Sequence, residues 1–149
     1  MVTSLNQTIP ARDRSEQMTH YIRRRINVGQ AGGLITTVAF SLGTLPANAA
    51  VISGGGVWVS TDLNGTTNTL DIGYAADTLS SADADAYATA LALPLTTGGF
   101  VPLDEIVAAT GRTAIPRAVD TALTATFTGT ATTGVVDICI PFVPLNPPA

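Results

Sequence analysis

Arg23-Arg24-Arg25, just after Tyr21, is the densest cluster of charge in the chain. Arginine forks pair two-pronged with carboxylates or phosphates, so the run predicts a contact with something acidic. Residues 1–30 hold Arg12, Arg14, Arg23, Arg24 and Arg25 against Asp13 and Glu16, a net +3. Residues 31–149 hold Arg112 and Arg117 against nine acids, a net −7. An acidic body repels a phosphate backbone, so direct nucleic-acid contact is not expected. The expected partner of Arg12, Arg14, Tyr21, Arg23, Arg24 and Arg25 is an acidic protein surface, with the body of a neighbouring copy among the candidates.

The other reactive side chains do not assemble into a chemical site. His20 is the only histidine, and triads and zinc sites need partners for it. Cys139 stands alone between Ile138 and Ile140, where a thiol behaves as a small hydrophobe and can form no internal disulfide. Asp77, Asp83 and Asp85 lie in ADTLSSADADAY, which lacks the glycine and closing glutamate of a calcium loop. Asp104 and Glu105 are adjacent, so their side chains diverge, and nothing marks them as a glycosidase pair. Gly54-Gly55-Gly56 is no phosphate loop, because that motif needs a lysine and this chain has none. Neither metal, cofactor nor enzymatic activity is expected.

The elements that must position these residues read mostly as strands. A chain of 149 residues is the size of one domain. Charged residues make up 12%, well below the usual quarter, and Thr, Ala, Gly and Pro fill the gap. No apolar run is long enough to cross a membrane, and the polar first thirty residues are no signal peptide. Residues 1–31 are expected as an extended N-terminal arm, in which RSEQMTHYIRRRI could wind into about three turns of helix. Such an arm is too polar to bury itself and is expected to become ordered only on assembly.

Residues 32–149 are expected as the body. LITTVAFSL reads as a first strand and Leu45-Pro46-Ala47-Asn48 as a turn. AVISGGGVWVST reads as a second strand, whose glycines mark a bulge or the close approach of another backbone. Leu63-Asn64-Gly65 is a turn, and TLDIGYA a third strand. SSADADAYATALAL departs from alternation. Its capping serines, early aspartates and alanines predict a short helix over 82–91. A turn of helix or a short strand is expected around Asp104 to Ala108, and TAIPRAV reads as an edge strand. The chain then closes on an expected hairpin. Leu123, Ala125 and Phe127 share one face, and Val136, Ile138, Ile140 and Phe142 form the core side of its partner. Pro141 predicts that this last strand ends at a sheet edge, with a proline-rich tail beyond. Trp58 and Tyr74 fall in strands, as core or sheet surface. The fold class expected is mainly β: an antiparallel β-sandwich or jelly-roll with one short helical insertion and the arm.

The order of LPANAAVISGGGVWVST, TLDIGYAADT, an acidic Ala-rich segment and RAVDTALTATFTGTATTGVVDICIPFV resembles capsid decoration (cement) proteins of tailed bacteriophages. The resemblance spans residues 34–143 as a pattern, and this chain departs from it in the triple glycine and the PFVPLNPPA tail. It implies a virion protein on the capsid exterior, assembled in the host cytoplasm, that stabilises the shell by bridging major capsid proteins. Its implied partners are the major capsid protein and copies of itself, as a trimer or dimer, with no membrane. A phage tail or baseplate component is one alternative. A carbohydrate-binding sandwich is another, and it would use exposed aromatics among Trp58, Tyr74 and Tyr87.

Overall fold

The computed structural model describes residues 19–103 and 116–145. Among them are nine strands: β1 (His20–Asn27), β2 (Ala39–Leu45), β3 (Ala49–Val51), β4 (Gly56–Thr61), β5 (Asn68–Tyr74), β6 (Asp83–Ala92), β7 (Phe100–Pro102), β8 (Thr121–Gly129) and β9 (Val135–Pro144). They form two antiparallel sheets. The first has the order β1-β9-β4-β7, with β3 also pairing β9, and the second the order β2-β8-β5-β6. The inner faces share one hydrophobic core, to which Phe127, Leu70, Ile72 and Leu123 come from the second sheet and Val57, Val59, Ile138 and Ile140 from the first. Each such side chain contributes about 1.5–3 kcal/mol by leaving water.

Four expectations are corrected. Residues 83–92 are the strand β6, not a helix. Its local signals are helical, but pairing with β5 satisfies its backbone and buries Tyr87, Ala88 and Leu91. Residues 20–26, expected as the second half of a helix, lie in the strand β1, which pairs with β9 from His20 opposite Phe142 to Asn27 opposite Val135. Ile26 and Val28 are buried there, so this part of the 1–31 segment packs on its own body. The arm's first residues, 1–18, lie outside the described residues.

The closing strands are where alternation places them, but they form no hairpin. β8 pairs β2 and β5, while β9 lies in the opposite sheet. Residues 130–134 therefore cross from one sheet to the other. Asn64 and the buried Asn68 hold that crossing: Asn64 Oδ1 accepts from the N–H groups of Thr132 (2.7 Å) and Thr133 (2.9 Å), and Asn68 Oδ1 from that of Ala131 (3.1 Å). Finally, β9 has strands along both sides as far as Phe142, Pro141 included, and only Val143 and Pro144 have a single described neighbour, β3. Pro141 fits because it sits at the break between β3 and β4. Its carbonyl accepts from Ile52 N–H on that side, and its ring lies where a Cβ on Gly55 would fall.

The glycine reading of AVISGGGVWVST holds, since the stretch divides into β3 and β4 where that close approach occurs. The first expected strand starts late. Residues 34–38 make only isolated bridges, with Thr37 at φ 64°, and β2 begins at Ala39. Gly73 in β5 allows β6 to bulge across it, because a Cβ there would meet the backbone of Asp83 and Ala84. The expected elements at Asp104 to Ala108 and the tail beyond Leu145 lie outside the described residues. Of the expected edge strand, residues 113–115 lie outside the described residues, and 116–119 form no strand, Arg117 making one isolated bridge to Ala49.

Candidate functional site

The outer face of the first sheet gathers most of the residues singled out in the sequence, and strand parity does the sorting. Val57 and Val59 are fully buried, which turns Trp58 outward. Val136, Ile138 and Ile140 point inward, which turns Asp137 and Cys139 outward. The register then lines up two cross-strand rows. One runs Arg25, Asp137, Trp58, Phe100, and the other Arg23, Cys139, Gly56, Pro102. Tyr21, opposite Pro141, starts a third.

The rows enclose an open groove of about 620 Å³. Its floor is low because Gly56 and Cys139 are small, and the Phe100 ring lies where a Cβ on Gly56 would be. Trp58 and Phe100 pack at 6.1 Å with their rings tilted by 48°. Both stay about half exposed, at 48% and 50%. Arg25 grips Asp137 with two hydrogen bonds, Nε to Oδ1 at 2.9 Å and Nη2 to Oδ2 at 3.0 Å. Ser60 also donates to Asp137. The Arg25 hydrogen bond holds the Asp137 carboxyl below its ordinary range against the opposing effect of burial, and Ser60 adds to it.

The structure divides the predicted interface residues. Arg12 and Arg14 lie outside the described residues. Tyr21, Arg23 and Arg25 share the groove face. Arg24 has the opposite parity, and its Nε donates to the Leu42 carbonyl of β2 at 2.8 Å. It therefore closes the corner between the two sheets. Asp137 and Phe100 are members of the face that the sequence reading did not assign to a site. The alternation around Val136 and Ile138 carried the signal for Asp137. Nothing local carried it for Phe100, which is brought in by the pairing of β7 with β4.

A second cluster lies at one end of the body. Arg117 ion-pairs with Asp77, donates to Ser80 Oγ (2.7 Å) and Thr121 Oγ1 (2.8 Å), and rests 3.8 Å from the centroid of the Tyr74 ring. Arg117 and the Leu79 N–H hold Asp77 well below the ordinary carboxylate range. The cluster ties residues 77–80 to β8 and is structural in geometry. Tyr74 and Tyr87 are buried, and His20 stacks on Phe142 at 5.6 Å. Among the described residues, no three His, Cys, Asp or Glu side chains are grouped to hold a metal ion, and no helix is long and apolar enough to cross a membrane. The groove is suited to non-covalent binding: guanidinium groups for a carboxylate, aromatic faces for apolar contact.

No protein-family model matches the chain, and no curated protein matches it. Among solved structures it is similar to a chain of the "Cyanophage Pam1 capsid asymmetric unit", with a TM-score of 0.53 and 22% identity over 83% of each chain. The two chains share a fold.

Proposed function

We propose that the protein is a structural component of a phage virion, a decoration protein that binds the outside of the capsid and bridges major capsid proteins. The observation that carries this reading is the fold shared, over 83% of each chain, with a chain of a phage capsid asymmetric unit. The strand order supports it. β1-β9-β4-β7 facing β2-β8-β5-β6 is the path of a strand ribbon rolled up on itself. We read it as a double-sheet jelly-roll, an architecture recurrent in capsid domains. The role is mechanical rather than catalytic, and residues 1–18, with Arg12 and Arg14, are read as the tether to an acidic shell surface.

Co-sedimentation of the full chain with purified capsids lacking it tests the reading. Saturable binding that weakens when residues 1–18 are removed is expected. The cut falls at residue 18 because β1 belongs to the folded sheet. Absence of binding to shells, with retention on isolated tails or baseplates, would overturn it in favour of a tail component. The exposed Trp58 and Phe100 beside Asp137 favour a second reading, a glycan-binding face. Saccharide binding lost on Trp58→Ala would support it, although Tyr74 and Tyr87 are buried and cannot contribute.

A further inference from the structure

The arginine face has a matching surface on the same molecule. Arg25 is engaged by Asp137 but leaves 72% of its side chain exposed. Arg23, two residues away on the same face, makes no ion pair among the described residues. With Trp58 and Phe100 half exposed beside them, the groove calls for an occupant that presents carboxylates next to small apolar side chains. At the free edge of the second sheet, β6 bulges across Gly73 and presents Asp83, exposed Ala84 and exposed Asp85, with Asp71 on the neighbouring strand. The Asp85 carboxyl is pushed above its ordinary range, first by the neighbouring Asp83 carboxyl, then by burial and by the charges of Asp83 and Asp71. Its charged surroundings are acidic, so an arriving guanidinium would relieve repulsion there.

The other described carboxylates are largely occupied. Asp77 is held by Arg117, Asp137 by Arg25 and Ser60, Asp62 by Thr97, Asp120 accepts from Ala47 N–H, and Asp71 accepts from Ala90 N–H. We propose that the groove lined by Arg23, Arg25, Trp58 and Phe100 docks the acidic β6 bulge, centred on Asp85, of a second copy of this chain.

The groove is on the outer face of one sheet and the bulge is on the edge of the other, so the two cannot meet within one molecule. The contact is head-to-tail: each copy gives a groove to one neighbour and a bulge to the next. Such contacts close into a ring when the rotation allows it and otherwise extend as a chain. The proposal rests on these two surfaces and does not require the shell.

The test is sedimentation velocity of the full chain over a range of concentration and salt, with Arg23→Glu, Asp85→Arg and the double variant. Both positions are exposed, and far-UV circular dichroism checks that each variant is folded. Wild type is expected to self-associate at low salt and to dissociate as salt screens the contact, since the screening length falls to about 10 Å at 0.1 M. Each single reversal is expected to weaken association by roughly tenfold or more, and the double reversal to restore it. A wild type that stays monomeric at every concentration overturns the proposal. So does an oligomer indifferent to both reversals, or a double variant as weak as the singles. Capsid co-sedimentation of the same variants separates this contact from shell binding. A variant that remains oligomeric yet misses the shell counts against the decoration role alone. If Arg23→Glu lowers shell binding of a monomeric wild type, the groove faces the shell and not a second copy.

Discussion

The two outer faces of the body obey the same strand alternation and carry opposite contents. Across the first sheet lie Arg25, Asp137, Trp58 and Phe100 in one row. Across the second lie Ala39, Thr126 and Asp71, with Ser41, Thr124 and Gly73 in the next row. The second face is small and nearly flat, and it makes internal use of its hydroxyls: Thr69 Oγ1 donates to the Thr128 carbonyl at 3.2 Å. The first has a groove because large side chains stand beside Gly56 and Cys139. Parity decides which residues point outward. Residue size and charge then decide whether an outward face can hold a partner.

Each sheet has a crowded glycine within a strand, Gly73 in β5 and Gly56 in β4, and these give the sharpest ways to test the contrast. Gly73→Ala is expected to have the largest effect. Its new Cβ meets the backbone of β6, and overpacking of this kind costs about 1–3 kcal/mol, read as a lower urea midpoint. Gly56→Ala is expected to cost less, because its Cβ meets the Phe100 ring and β7, an edge strand of three residues that can yield. It should still spoil the groove, and the fluorescence of Trp58, the sole tryptophan, should shift to the red as Phe100 is displaced. An unchanged spectrum would mean that Phe100 does not depend on Gly56.

The two ion pairs contrast in the same way. The Arg117–Asp77 side chains are 13% and 9% exposed, and those of Arg25–Asp137 are 72% and 33% exposed. Both carboxylates are depressed in the folded state. Their stabilisation is therefore complete above the unfolded carboxylate value of about 4 and is lost as pH falls below it. Arg117→Ala should flatten the acid limb of Tm against pH more than Arg25→Ala, whose exposed pair is screened by solvent. Equal slopes in the two variants would remove the distinction. The smallest effect is expected from Thr126→Val on the flat face, within about 0.5 kcal/mol in thermal unfolding. A larger change would show that this face is not blank.

The core of the fold was legible where apolar residues alternate without interruption. Leu123, Ala125 and Phe127, and Val136 through Phe142, lie as their spacing predicts. What failed had identifiable causes. β1 has the alternation Ile22, Arg24, Ile26, but a cation in the middle of the inward row hides it. Arg24 is accommodated because its stem carries the guanidinium out to the corner, where Nε donates to the Leu42 carbonyl. β6 carries serine and aspartate at its start and alanines within, all local helix signals. Pairing with β5 overrides them, and no local pattern reports a distant partner. The assignment of β8 and β9 to opposite sheets is likewise a long-range fact, since a five-residue link looks the same whether the strands pair or part. Of the candidate site, the arginines and Trp58 were visible as residue types. Their meeting across β9 was not.

That position of β9 has a consequence for biosynthesis. Arg25 and Asp137 are separated by 112 residues, and β9 lies between β1 and β4. A ribosome adding roughly 5–20 residues per second takes about 6–20 s to travel from one to the other. Throughout that interval β1 and β4 have no strand between them, and the two halves of the groove remain apart. The groove therefore arrives with β9, late and all together, so that a nascent or prematurely terminated chain lacking that strand cannot present it complete.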